Sequence, residues 1–133
     1  MSQQNVERIK SGWDAFVEEG IEGVFSLYAE DAEIVDPPEL PDPVTGRGAE
    51  GLSALWERFS EMWEGFSLTP FEFIDVGEDR VIAVCAMKGS GKESGIPLPD
   101  TPLVLLYDLQ AGLVVKQRAY LSRERALEAA RSN

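Results

Sequence analysis

Two runs in the second half of this chain, Val81–Met87 and Leu103–Leu109, are apolar at consecutive positions instead of alternate ones. Successive side chains of a strand point to opposite faces, so such runs need cover on both sides of a sheet. The sequence around them is punctuated for hairpins. Candidate strands are Phe66–Val76, Arg80–Lys88, Thr101–Leu109 and Leu113–Leu121. Gly77-Glu78-Asp79 and Gln110-Ala111-Gly112 are tight-turn sequences, which predicts antiparallel neighbours. Gly89–Asp100, with its glycines and prolines, reads as a longer hairpin loop.

The first half supplies the cover. Val6, Ile9, Trp13, Phe16 and Val17 recur at helical spacing, with Ser2 or Asn5 as candidate N-cap and Gly20 as terminator. A short second helix carries Ile21, Val24, Phe25 and Tyr28. Ala32–Asp36 alternates as a short strand and runs into a stiff loop with prolines at 37, 38, 41 and 43, which neither helix nor sheet interior accepts. Gly46 and Gly48 lead into a third helix with the broad stripe Leu52, Leu55, Trp56, Phe59, Met62 and Trp63, ended by Gly65. After Ser122 a last short helix places Ala126, Leu127 and Ala130 on one face. Helices first and strands afterwards predict an α+β fold: three helices in the N-terminal half over a curved antiparallel sheet, around one pocket. No linker or repeat divides the chain, so residues 1–133 read as a single domain. The second sheet face also asks for cover, and a second copy of the chain, as a homodimer, is the simplest source.

Composition narrows the chemistry. Acidic residues outnumber basic ones 24 to 12 and the net charge is −12. That argues against nucleic acid and anionic membrane as partners, since both bind cationic surface. There is no histidine, which excludes Ser-His-Asp and Cys-His catalysis and most zinc sites. No metal-ligand spacing or phosphate-binding glycine motif is present, and no cofactor is expected. Cys85, alone in an apolar run, reads as a small buried hydrophobe. The opening residues MSQQNVERIK do not form a signal peptide, and no apolar stretch is long enough to span a bilayer, so the expectation is a cytoplasmic protein.

Tyr28-Ala29-Glu30-Asp31-Ala32-Glu33-Ile34-Val35-Asp36-Pro37, then Gly46-Arg47-Gly48 opening a helix, resembles the SnoaL-like and ketosteroid-isomerase-like families of the nuclear-transport-factor-2-like superfamily. Gly112-Leu113-Val114-Val115 and Ala119-Tyr120-Leu121-Ser122-Arg123-Glu124 carry the same resemblance at the other end. It implies a cone-shaped, cystatin-like fold whose bent sheet wraps a deep pocket, usually in a homodimer. The superfamily holds isomerases, cyclases, epoxide hydrolases and transport factors, so the resemblance implies a fold more than an activity.

In ketosteroid isomerases the aspartate of an Asp-Pro pair after the first strand is the general base, and that position matches Asp36. The family's oxyanion donors fall at Trp13 and Leu105. An indole donates one hydrogen bond and leucine none. Losing such a donor costs ~3 kcal/mol in the transition state, so ordinary steroid isomerisation is not expected. An aspartate before two prolines can equally serve as a turn acceptor.

Alternation and resemblance together turn Val81, Ala83, Cys85, Met87, Leu103, Leu105, Gln117, Ala119 and Leu121 inward. Trp13, Phe16, Tyr28, Trp56 and Phe59 face them from the other layer. The expected ligand-binding set is therefore Trp13, Phe16, Tyr28, Trp56, Phe59, Cys85, Met87, Leu105, Gln117 and Leu121. Arg118 and Tyr120 fall on the outer face, and Arg47 could pair with Asp36 or Asp42. The partner of such a pocket is a small apolar molecule. Two functional readings follow: a cofactor-free isomerase or cyclase using Asp36, or a non-catalytic binding or interaction module of the same fold.

Overall fold

The computed structural model describes residues 2–40, 43–97 and 101–131. Its elements are α1 (Ser2–Glu19), a 3-10 segment (Ile21–Leu27), β1 (Tyr28–Val35), β2 (Thr45–Arg47), α2 (Gly48–Met62), β3 (Trp63–Gly77), β4 (Arg80–Gly91), β5 (Pro102–Gln110), β6 (Leu113–Tyr120) and α3 (Arg123–Arg131). The six strands form one sheet in the order β2-β1-β6-β5-β4-β3. Both short turns have the left-handed backbone that two-residue hairpins need: Glu78 and Asp79 at φ 51° and 61°, Ala111 and Gly112 at 53° and 81°. Three register shifts in the β3–β4 ladder bend the sheet, because each extra residue raises local twist.

Four details differ from the sequence reading. The sheet is mixed: β1 runs parallel to β6, with Ile34 beside Gln117. A parallel pair needs a long connection, and everything from α2 to β5 provides it. Tyr28 opens β1 instead of closing a helix. The third helix stops at Met62, and Trp63 is extended (φ −133°, ψ 151°) because it pairs with Gly91 in β3. Strand pairing overrides the helical spacing there, and Gly65, at φ 61°, lies inside β3. Asn5 lies within α1 and caps nothing; its amide donates to Asp79 Oδ1 at 2.9 Å, tying α1 to the β3–β4 turn.

The apolar runs are buried on both faces. Towards α1 and α2 lie Val81, Ala83, Cys85, Leu103 and Leu105. Away from them lie Ile82, Val84, Val104 and Leu106, packed under Ala126 of α3. Arg80 holds α3 by donating to the Ala130 carbonyl at 2.9 Å, and Arg123 forks onto Glu72 through two 2.9 Å bonds. The need for cover that suggested a second copy is met over this patch within one chain. Arg118 and Tyr120 do face outward, Arg118 against Asp108 and Tyr120 against the α3 cluster. Among the described residues no helix is long and apolar enough to cross a membrane.

Gly48 joins β2 to α2 at φ 62°, and a Cβ there would overlap the Glu30 carbonyl oxygen. Gly48→Ala is expected to destabilise the fold by about 2–4 kcal/mol, strain and overlap combined. A lower urea midpoint at unchanged slope is the check; an unchanged midpoint would mean that the junction relaxes freely.

Candidate functional site

The helices do not close fully onto the sheet, and the space between them is a cavity. α1 contributes Ile9, Gly12, Trp13 and Phe16, one face of a helix at i, i+3, i+4 and i+7. α2 contributes Leu52, Leu55, Trp56 and Phe59 at the same spacing. The 3-10 segment adds Ile21, Val24 and Leu27; Tyr28, Phe66 and Leu68 form the sides; Leu103, Leu105, Tyr107 and Gln117 form the floor. No side chain in this lining carries a formal charge. The space open to the centre of a water-sized sphere is ≈ 70 Å³, where one water needs ~10–15 Å³.

The polar atoms gather at one end. Tyr28 Oη donates to Gln117 Oε1. Beyond this bond Gln117 keeps its two amide N–H donors and one carbonyl lone pair. Tyr107, directly across the β5–β6 ladder from Gln117, brings its hydroxyl close to both Tyr28 and Trp13. Burial pushes the ionisation of both phenols well above the ordinary tyrosine range, because a phenolate here would lose its water. Tyr28 is enclosed by protein yet keeps some open surface, which places that surface on the cavity. The Trp13 indole N–H is buried and makes no well-aligned hydrogen bond, although the Tyr107 hydroxyl lies beside it. An unmade bond of this kind costs ~1–3 kcal/mol, a penalty that an acceptor in the cavity would relieve.

Aromatic rings link this end to the α2 side. Trp13 and Phe16 are 5.5 Å apart, Phe16 and Trp56 5.0 Å, both edge to face, and Trp56 and Phe66 5.6 Å.

Seven of the ten expected binding residues line the cavity: Trp13, Phe16, Tyr28, Trp56, Phe59, Leu105 and Gln117. Cys85, Met87 and Leu121 face inward but belong to the packed core beyond it. Burial raises the Cys85 thiol to about 12, which leaves it inert at neutral pH. Leu121 is held off by its own N–H, which donates to Glu39 Oε2 at 3.2 Å. Tyr107 is the polar residue that the sequence reading missed. The alternation running through Leu103 and Leu105 reaches it next.

Asp36 is not among the lining residues. Its carboxylate is 2% exposed and bound on both oxygens, Oδ1 to Arg58 at 2.6 Å and Oδ2 to the Val44 N–H at 2.9 Å. Its own N–H donates to the Val44 carbonyl at 3.0 Å. The residue closes the proline loop and ties it to α2, as a turn acceptor does. Arg47 is not its partner: it is exposed and donates to the Asp31 carbonyl at 3.3 Å. Asp42 lies outside the described residues.

A bent six-stranded sheet, capped by helices over an uncharged cavity, defines a small-molecule pocket architecture. The SnoaL-like domain profile matches residues 9–117, and the chain belongs to that family. No curated protein matches it. Among solved structures it is similar to a nuclear-transport-factor-2-like protein from Burkholderia thailandensis (18% identity, 95% of each chain, TM-score 0.77). Another such protein, from Burkholderia xenovorans, is 28% identical over 98% of this chain and 97% of that one, with a TM-score of 0.71. TerC, co-crystallised with polyporic acid, is 22% identical over 96% and 98%, with a TM-score of 0.72.

Two outcomes are expected from this geometry. Asp36→Asn should lower stability by about 1–3 kcal/mol, since it breaks a charge-assisted pair and a loop contact. It should leave cavity affinity within about twofold, as the residue touches no ligand. A stabilised variant with reduced affinity would return Asp36 to the cavity. Tyr28 and Tyr107 should keep their protons above pH ~10, where unfolded tyrosines ionise. The folded state then holds more protons than the unfolded one, so stability is full below pH ~10 and falls as pH rises beyond it. Absorbance titration at 295 nm under native conditions should show these two phenols ionising only with unfolding; ordinary titration of all three tyrosines would contradict their burial.

Proposed function

We propose that this protein binds a small, uncharged, mainly apolar molecule in the helix–sheet cavity and orients it through a hydrogen-bond acceptor. The observation that carries this reading is the buried, unpartnered Trp13 N–H at the polar end of an otherwise apolar lining. Apolar walls supply affinity by area, while the few polar groups fix orientation. Trp13 and the Gln117 amide are donors, so the matching ligand group is an acceptor such as a carbonyl oxygen. An anion would have to leave water for a site with no cation in its lining, which costs far more than the apolar contacts return.

A cofactor-free isomerase or cyclase is the second reading, favoured by membership of a family that includes such enzymes. Its weakness is the base. Asp36 is committed to Arg58 and Val44, and the cavity phenols hold their protons too tightly to accept one at neutral pH. A non-catalytic binding protein needs no such group.

Acetophenone and benzoate share a ring and differ in charge, which makes them a matched test. Acetophenone should quench tryptophan fluorescence saturably, and Trp13→Phe should weaken its binding about fivefold, the worth of one net hydrogen bond of ~1 kcal/mol. Benzoate should bind at least about tenfold more weakly. Saturable binding of benzoate alone, or none of either compound, would defeat the proposal.

A further inference from the structure

β4 outruns its inner neighbour. Its pairing with β5 ends at Ala86 opposite Pro102. Beyond that point, among the described residues, β4 continues against β3 alone as far as Trp63 opposite Gly91, joined only by a bridge from Ser90 to Pro97. Among the described residues the β3–β4 pair therefore extends past the β4–β5 ladder as an arm, joined at Trp63 to the end of α2. This arm carries Phe66, whose ring crosses to α2 and lies 5.6 Å from Trp56 and 6.4 Å from Phe59. Phe16, Trp56 and Phe66 come from three different elements and each is partly exposed, whereas Phe59 beneath them is buried.

Phe66 sits where the β3–β4 pairing is irregular. The ladder shifts register between Glu64 and Ser67, so Phe66 lies in a bulge outside regular strand pairing. Ring contacts, not backbone pairing, hold its side chain against α2. From this we infer that Phe66 controls entry to the cavity: rotation of its ring away from Trp56 and Phe59 opens the way to Trp13. The inference rests on the cavity being a binding site and adds how that site is reached. It distinguishes Phe66 from Leu68, which also lines the cavity on the same stretch of β3 but outside the bulge, in regular pairing with Met87.

A second handle on the arm avoids touching the ring. A Cβ on Gly89 would come within 3.1 Å of Trp63 Cβ, 3.2 Å of the Glu64 carbonyl oxygen and 3.4 Å of Phe66 Cα. Gly89→Ala should therefore shift the bulge that carries Phe66 by a few tenths of an ångström.

The test has two arms. In a Trp56→Phe, Trp63→Phe background only Trp13 emits, and acrylamide, a small neutral quencher, reports access to it without any ligand. Phe66→Ala and Gly89→Ala should each raise the quenching rate constant about fivefold, as expected when a barrier to entry is removed, and Leu68→Ala should not. Phe66→Leu replaces Phe66→Ala if circular dichroism shows the latter to be unfolded. In stopped-flow mixing of the full chain with acetophenone, Phe66→Ala should accelerate association and dissociation together, while Leu68→Ala should accelerate dissociation alone. Unchanged quenching in folded Phe66 and Gly89 variants, or faster dissociation with unchanged association at Phe66, would overturn the gate. Absence of acetophenone binding to the unmodified chain would instead strike the proposed function, with the quenching arm still deciding access.

Discussion

Ile82, Val84, Val104 and Leu106 point away from the cavity; Val81, Ala83, Cys85, Leu103 and Leu105 point towards it; none of these nine is more than 5% exposed. Burying one such aliphatic side chain contributes roughly 1.5–3 kcal/mol, so the two central strands dominate the driving force for folding. They also dictate the layers. One face is met by α1, the 3-10 segment and α2, the other by α3. α3 fits closely because its contact side is made of small residues, Ala126, Ala129 and Ala130 with Leu127, and because arginines on β4 and on α3 itself fasten it at both ends.

The inner face is covered differently, and the cavity is the result. Helices bearing Trp13, Phe16, Trp56 and Phe59 stand further from a sheet than an alanine-faced helix can. The rings pack edge to face against each other and leave a gap over Leu103, Leu105 and Tyr107. The polar groups at the end of that gap are neutral, and burial keeps them so. An ionised group would have needed a partner or water, and the lining holds no side chain of opposite charge. The lining therefore offers a shaped apolar surface with a few neutral hydrogen-bonding groups at one end.

Asp36 marks where a local motif and its surroundings part company. Its place after the first strand and before two prolines is visible in the sequence, and so are both of its plausible jobs. The choice depends on Arg58, twenty-two residues away on α2, and on the Val44 N–H across the proline loop. No periodicity links those three residues. Trp63 is a similar case: it continues the apolar spacing of α2, yet pairing with Gly91 takes it into β3. Tyr107 differs, because the alternation through Leu103 and Leu105 pointed at it and only its polarity obscured the inward assignment.

What the sequence determined by itself are the properties that repeat along the chain. Period-two and helical spacing indicated five of the six strands, the helices and most of their inward residues, while β2 carried no such signal, and turn residues indicated the three hairpins that join β3 to β6. The missing histidines and the charge balance removed whole classes of chemistry. Only tertiary structure decided what depends on distances between remote segments: the parallel pairing of β1 with β6, α3 as the cover of the outer face, and the pairing of Asp36 with Arg58. It also decided which inward residues line open space and which fill core. Alternation assigns a side chain to a face, but whether that face meets a neighbour or a gap depends on how closely the opposing layer can approach, and that is set by side chains elsewhere in the chain.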